Sequence, residues 1–120
     1  MHSLNTETGE ILWSTITDKE CKEIDTNCDP GISAAVTAVP GAVIAGHLDG
    51  MIRVYDKDNG DILWSFNSLG EYESISGTPA SGGSFSGSGP SVRNGFMAIN
   101  SGYGIYNHMP GNALLLFSIE

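Results

Sequence analysis

Several residues in this chain have side chains that could do chemistry. His47, in Ala45-Gly46-His47-Leu48-Asp49-Gly50, and His108, near Tyr103 and Tyr106, are candidates for an acid or base near neutral pH or for the lining of a pocket. A lone loop histidine is more often simply solvated, so neither defines a reaction by itself. Asp56-Lys57-Asp58-Asn59-Gly60-Asp61 hints at a calcium loop, but its Gly falls one place early and no closing Glu follows. Gly87-Ser88-Gly89 lacks the strand–helix context of a hydrolase nucleophile. Cys21 and Cys28 stand in a polar stretch that runs from Asp18 to Gly31. A disulfide across so short a loop contributes roughly 2–3 kcal/mol and implies an oxidising compartment. Two free thiols are the alternative, and zinc would need two further ligands that no Cys or clustered His supplies.

The elements that must position these residues come from an internal repeat. Leu4-Asn5-Thr6-Glu7-Thr8-Gly9-Glu10-Ile11-Leu12-Trp13-Ser14 recurs 51 residues later as Tyr55-Asp56-Lys57-Asp58-Asn59-Gly60-Asp61-Ile62-Leu63-Trp64-Ser65. Gly, Ile, Leu, Trp and Ser are identical and Glu10 matches Asp61 in charge, the mark of a repeat architecture. Each copy reads as strand, tight turn, strand, which makes the calcium-loop stretch a hairpin turn. The shared Trp is expected to pack between neighbouring sheets, where truncation to Ala typically costs ~3–5 kcal/mol.

The composition agrees. Sixteen glycines and 16% charged residues fit many short strands joined by turns. A net charge of −9 with five Lys and Arg argues against nucleic acid, because no basic stripe could neutralise phosphates, and against anionic membrane surfaces. No apolar run approaches the ~20 residues of a membrane span. Met1-His2-Ser3-Leu4 lacks the basic and apolar regions of a signal peptide.

Taken in order, residues 10–16 are expected to form a strand, followed by the cysteine-containing loop to about residue 31. Residues 34–39, 42–46, 51–55 and 62–66 then make a four-stranded antiparallel meander, the unit of a β-propeller blade. A Gly-, Ser- and Pro-rich loop spans residues 67–91, a length that is usually functional or disordered. The pattern restarts with a short strand near Val92, the Asn94-Gly95 turn, Phe96 to Asn100, a long connection over 101–112, and Ala113 to Ser118. The fold class is therefore all-β. It is a propeller segment of two blades in circular order, with residues 1–16 an outer strand of an incomplete blade, 32–66 a complete blade and 90–120 three strands of another.

This layout puts the tight turns (Thr8-Gly9, Pro40-Gly41, Asn59-Gly60, Asn94-Gly95) on one face and the long segments 15–31, 67–91 and 101–112 on the other. Loops held by a rigid scaffold are where binding and chemistry concentrate, so the loop face is the expected functional surface. Both terminal strands are open edges that invite pairing with another chain. Two blades cannot bury their faces alone, and a propeller has roughly four to eight. The chain is thus expected to be either a fragment of a longer propeller or a unit that closes a ring by self-association. About four copies would give eight blades.

The blade-ending pattern resembles the tryptophan-docking motif of propellers that bind pyrroloquinoline quinone (PQQ). The C-terminal half, with Gly77-Thr78-Pro79-Ala80-Ser81-Gly82-Gly83-Ser84, Asn100-Ser101-Gly102-Tyr103-Gly104 and Met109-Pro110-Gly111-Asn112, is similar to the last blade of polyvinyl alcohol dehydrogenase-like quinoproteins. Ala45-Gly46-His47-Leu48-Asp49-Gly50 with Arg53-Val54-Tyr55-Asp56 is similar to their penultimate blade. The resemblance covers nearly the whole chain but about a quarter of such a propeller, which is eight-bladed.

The resemblance implies a PQQ-dependent alcohol dehydrogenase, periplasmic or extracellular. It would have a small alcohol substrate, calcium beside the quinone, an Asp base and a haem acceptor, the cofactor carrying the hydride chemistry. No Asp here sits in a matching motif, so the catalytic base is not assigned, and neither is a metal ligand. Residues in matched loops, Ser81, Gly82, Gly83, Asn100, Ser101 and Tyr103, are the candidate cofactor contacts, with the glycines also suited to serving turns. The alternative is a non-catalytic propeller or assembly module that kept the scaffold and lost the chemistry.

Overall fold

The computed structural model describes residues 1–18, 28–104 and 106–119. Among them there are strands and turns but no helix: β1 (His2–Leu4), β2 (Ile11–Ser14), β3 (Thr37–Val39), β4 (Ala42–Gly46), β5 (Met51–Asp56), β6 (Ile62–Asn67), β7 (Glu71–Glu73), β8 (Pro79–Ser81), β9 (Ser91–Arg93), β10 (Phe96–Ser101) and β11 (Ala113–Ser118). They form a β1-β2 hairpin, a β3-β4-β5-β6 meander, a β7-β8 hairpin and a three-stranded β9-β10-β11 sheet, all antiparallel. The chain is all-β and consistent with part of a β-propeller.

The repeat is real at the level of single hydrogen bonds. Asn5 Oδ1 accepts from the amides of Glu7 and Thr8, and Asp56 Oδ1 accepts from those of Asp58 and Asn59. Gly9 N–H donates to the Asn5 carbonyl at 2.8 Å and Gly60 N–H to the Asp56 carbonyl at 3.0 Å. Both glycines have positive φ (74° and 78°), and both hairpins carry a register shift at the same place, Ser3/Leu4 and Val54/Tyr55. The carboxylate of Asp56 is thus committed to an Asx turn, which is why this stretch is a hairpin and not a cation loop.

Several boundaries differ from expectation, and the strand expected over 34–39 begins only at Thr37. The N-terminal strand is shorter than residues 10–16: it is Ile11–Ser14, with Thr15 still exchanging backbone bonds with Met1 and Ile16 90% exposed. It does not stand alone: His2, Ser3 and Leu4 pair with it. The segment 67–91 is not structureless, since Glu71–Glu73 and Pro79–Ser81 zip into a hairpin around Ser74 and Gly77.

The core lies between the two larger sheets. Ile44 and Val54 are cross-strand partners on β4 and β5, and with Ile52 they face Ile99, Met97, Leu115 and Phe117 of the three-stranded sheet. Phe66 meets Phe117 edge-on with ring centroids 5.1 Å apart, and Trp64 meets Phe117 at 5.6 Å, a favoured aromatic geometry. The other face of the meander carries Arg53 and Tyr55, both buried. Trp13 is half-buried and Trp64 is 40% exposed, yet each packs against a neighbouring sheet as the repeat suggested, Trp13 on Gly60 and Trp64 on Phe117. The edge strands β3 and β9 approach each other, and the Thr37 hydroxyl donates to the Pro90 carbonyl.

Candidate functional site on the loop edge

Antiparallel topology places the connections 46–51, 67–91 and 101–113 at one edge of both sheets and the tight turns at the other. Residues 81–85 thread through the middle of the loop edge. Ser81 exchanges bonds with Asn112, its N–H donating to Asn112 Oδ1 at 2.7 Å and its carbonyl accepting from Asn112 N–H at 2.8 Å. Ser84 N–H donates to the Met109 carbonyl, its carbonyl accepts from Gly102 N–H, and its hydroxyl donates to the Leu48 carbonyl while accepting from Met109 N–H. Phe85 continues the thread, donating its N–H to the His47 carbonyl. Its ring is buried against Gly46.

The six residues singled out from the sequence fall in or beside this knot. Ser101 is fully buried; its hydroxyl bonds Ser68 Oγ at 2.8 Å and accepts from Gly83 N–H at 2.9 Å. Gly82 sits where two backbones cross, because a Cβ there would lie 1.7 Å from the Ser68 carbonyl oxygen. Its N–H is bonded to the Gly70 carbonyl. The polar groups of Ser81, Gly82, Gly83 and Ser101 are therefore engaged with one another and with Ser68 and Asn112. Asn100 is exposed, and Tyr103 is 59% exposed with its hydroxyl donating to the Asn112 carbonyl at 2.8 Å. Beside Ser81 opens a cleft of about 580 Å³ walled by Glu71, Tyr72, Glu73, Pro79 and Asn112. Burial raises the Tyr72 hydroxyl's pKa, and that hydroxyl donates to the Ser68 carbonyl.

A second buried polar cluster lies under the meander. Arg53 clamps Asp49 with two bonds of 3.1 and 2.7 Å, and Asp49 Oδ1 also accepts from Met51 N–H at 3.1 Å. Both side chains are out of water, at 3% and 0% exposure. His47 approaches the Pro30 carbonyl through Nδ1 at 2.7 Å and the Tyr55 hydroxyl through Nε2 at 2.9 Å. A carbonyl can only accept, so Nδ1 carries the proton and Tyr55 donates to Nε2. Burial, the largest influence, lowers the His47 pKa and keeps the ring neutral; burial likewise raises that of Tyr55. With both nitrogens bonded, His47 holds structure and has no free nitrogen for proton transfer.

The sequence concealed Arg53 because an alternating strand normally turns a charged residue to solvent. β5 is an inner strand buried on both faces, so it has no solvent side, and the signal was Asp49 four residues earlier. His108 presents the opposite situation to His47: its Nδ1 is buried with no partner, and so is the hydroxyl of Ser86. Cys28 is disulfide-bonded, while Cys21 lies outside the described residues.

No family model matches the chain. Two relatives do, over its whole length. The chain is similar to polyvinylalcohol dehydrogenases. It is 32% identical over 130 aligned positions to one from Pseudomonas sp, covering all of this chain and 20% of that protein. It is 30% identical to one from Sphingopyxis sp. (strain 113P3), over 98% of this chain and 20% of that protein. The chain thus spans about a fifth of the length of the curated relatives it matches. Among the described residues no helix is long and apolar enough to cross a membrane, and no group of three His, Cys, Asp or Glu could hold a metal ion.

Proposed function

We propose that this chain is the C-terminal part of an alcohol dehydrogenase-like quinoprotein propeller that oxidises an alcohol when complete. The observation that carries the reading is similarity at 30–32% identity to two polyvinylalcohol dehydrogenases across essentially the whole chain. In this reading residues 32–66 and 90–120 are blades of an eight-bladed ring, residues 1–16 close a neighbouring blade, and the protein works in the periplasm or outside the cell. Asn100 and Tyr103, exposed on the loop edge, are the contacts offered to cofactor or substrate. Ser81, Gly82, Gly83 and Ser101 hold the surface beneath them.

The expected cofactor, PQQ, is a tricarboxylate and needs cationic partners. The described basic side chains do not fit that need: Arg53 is spent on buried Asp49, while Lys57 and Arg93 belong to the tight-turn edge. Calcium likewise has no cluster of carboxylates among the described residues. We therefore assign no catalytic step to this chain, and in the proposed enzyme those groups come from other blades.

The same shortage of basic side chains at the loop edge among the described residues favours a second reading, a non-catalytic module that self-associates into a closed ring of about four copies. Light scattering behind size exclusion separates the two, a discrete ring supporting self-association. Dye reduction by a secondary alcohol, with PQQ and calcium added to a closed propeller containing this chain, supports the enzyme reading. A silent assay on such a propeller overturns it.

A further inference from the structure

The two larger sheets follow one plan up to the third strand. Ile44 pairs with Val54 in the meander, and Ala98 with Leu116 in the C-terminal sheet. In each, the residue after the third strand returns to the glycine of the first turn. Lys57 N–H donates to the Gly41 carbonyl at 3.2 Å, and Ile119 N–H to the Gly95 carbonyl at 3.0 Å. Beyond that point the sheets part. The meander turns through Gly60 into β6, whereas β11 is an edge strand with no partner on its outer side among the described residues. Beside it lies an apolar groove of about 400 Å³ walled by Ile44, Val54, Trp64, Phe96, Phe117 and Ile119. The joint on the meander's other face shows what fills such a place. There Trp13 Nε1 donates to the carbonyl of Lys57, the counterpart of Ile119, and the indole lies against Gly60. Trp64, the register mate of Trp13, is 40% exposed, and its Nε1–H has no acceptor among the described residues.

We propose that the open edge of β11 and the groove beside Trp64 form a seat for a fourth strand, donated by a segment of the same protein outside these 120 residues. The seat selects a tight turn with glycine against the Trp64 indole, because a Cβ at Gly60 would lie 2.4 Å from the Trp13 ring in the equivalent joint. An extended segment follows whose backbone pairs with β11 as β6 pairs with β5. The occupant therefore carries the pattern of the two repeats: an Asx residue, a glycine four places on, and Ile-Leu-Trp starting two places later. The chain's own β2 has that pattern but is already engaged, since it pairs with β1 while Trp13 and Thr15 anchor it to the meander's opposite face. The β2 of a second copy would have to break the same contacts. The chain spans 20% of each curated relative, which leaves the larger part of such a protein to supply the strand. Left unfilled, the edge would pair indiscriminately with other chains.

The inference rests on the reading of the chain as part of a longer propeller, and not on catalysis. The test titrates the isotope-labelled 120-residue chain with an unlabelled synthetic peptide of residues 56–67, a stand-in for the donated strand. NMR follows the two indole N–H signals, which Trp64→Phe assigns. The expected result is a saturable shift of the Trp64 signal with the Trp13 signal unmoved. Hydrogen exchange at the open-edge amides of β11 should slow by about tenfold or more. Gly60→Val in the peptide should weaken binding by about tenfold or more, the effect of overpacking the turn against the indole. Equal binding by the Gly60→Val peptide or by a scrambled one would mean an unselective apolar groove, and it overturns the seat, as does a Trp64 signal that never moves. A Trp64 shift that grows with chain concentration in the absence of peptide gives the seat to a second copy and overturns the assignment to the longer protein. Peptide binding beside a silent dye assay on the closed propeller sinks the dehydrogenase reading and leaves the seat standing. Alcohol oxidation with Trp64 indifferent to the peptide does the reverse.

Discussion

Trp13 packs onto Gly60 so closely that a Cβ at Gly60 would lie 2.4 Å from the indole Cε3. The indole Nε1 donates to the Lys57 carbonyl at 2.8 Å, and Thr15 Oγ1 donates to the Gly60 carbonyl at 2.6 Å. The two residues belong to successive copies of one eleven-residue pattern, so the repeat that builds each hairpin also builds the joint between neighbouring sheets. Trp64, the register mate of Trp13, instead meets Phe66 and Phe117.

Gly60→Ala is expected to cost about 3 kcal/mol, from a side chain forced to positive φ and from the collision with Trp13. Gly9→Ala is the internal control: its φ is 74° against 78°, but nothing lies within 4 Å of the added carbon. It should cost only about 1 kcal/mol. Urea denaturation of the two variants reads the difference, and equal losses would mean that the Trp13 contact contributes nothing.

Asp49→Asn should destabilise the chain by about 3–5 kcal/mol, because Arg53 is then a buried charge without its counter-ion. Replacing both, as Asp49→Asn with Arg53→Met, should cost less than the single change, since no uncompensated charge is left. Denaturant midpoints of the two variants decide it; a double variant worse than the single would refute the pairing argument.

The all-β class, the repeat and the tight turns were legible because each rests on local chemistry: Gly at positive φ and an Asx side chain capping its own turn. The strand boundaries near Ile16 and Glu71 were not, since pairing there depends on partners far along the chain. Arg53 was hidden by the assumption that one sheet face meets water. Ser101 and Gly83 were found for their motif, and the structure shows what the motif alone could not, that their polar groups face each other. The orphaned atoms of Ser86 and His108 could be recognised only by a count of partners.

His47 makes stability fall on acidification. Its folded-state pKa lies below that of the unfolded chain, so below pH ~6.5 the unfolded state takes up a proton that the folded state refuses. The contribution is whole above that pH, declines as pH drops toward the folded pKa, and is flat beyond it. Denaturation midpoints should be level from pH 8 to 7 and fall between pH 6 and 5. His47→Gln should flatten that fall while lowering stability at pH 8, because the Tyr55 and Pro30 contacts are imperfectly replaced. An undiminished acid fall in the variant would assign the effect to other groups.

The residues of the knot and those exposed beside it should separate in a stability scan. Ser101→Ala leaves Gly83 N–H without its acceptor and Ser68 Oγ without one partner, all three groups being buried. A loss of about 2 kcal/mol follows from stranding buried donors. Asn100→Ala, at an exposed position, should stay within about 0.5 kcal/mol of the parent. Tyr103→Phe loses one half-exposed bond to the Asn112 carbonyl and should cost no more than about 1 kcal/mol. Thermal unfolding of the three variants provides the ranking. If Asn100 and Tyr103 touch a ligand, their variants keep the fold and lose binding, whereas Ser101→Ala loses stability first. An Asn100→Ala variant as unstable as Ser101→Ala would mean that Asn100 too serves the frame.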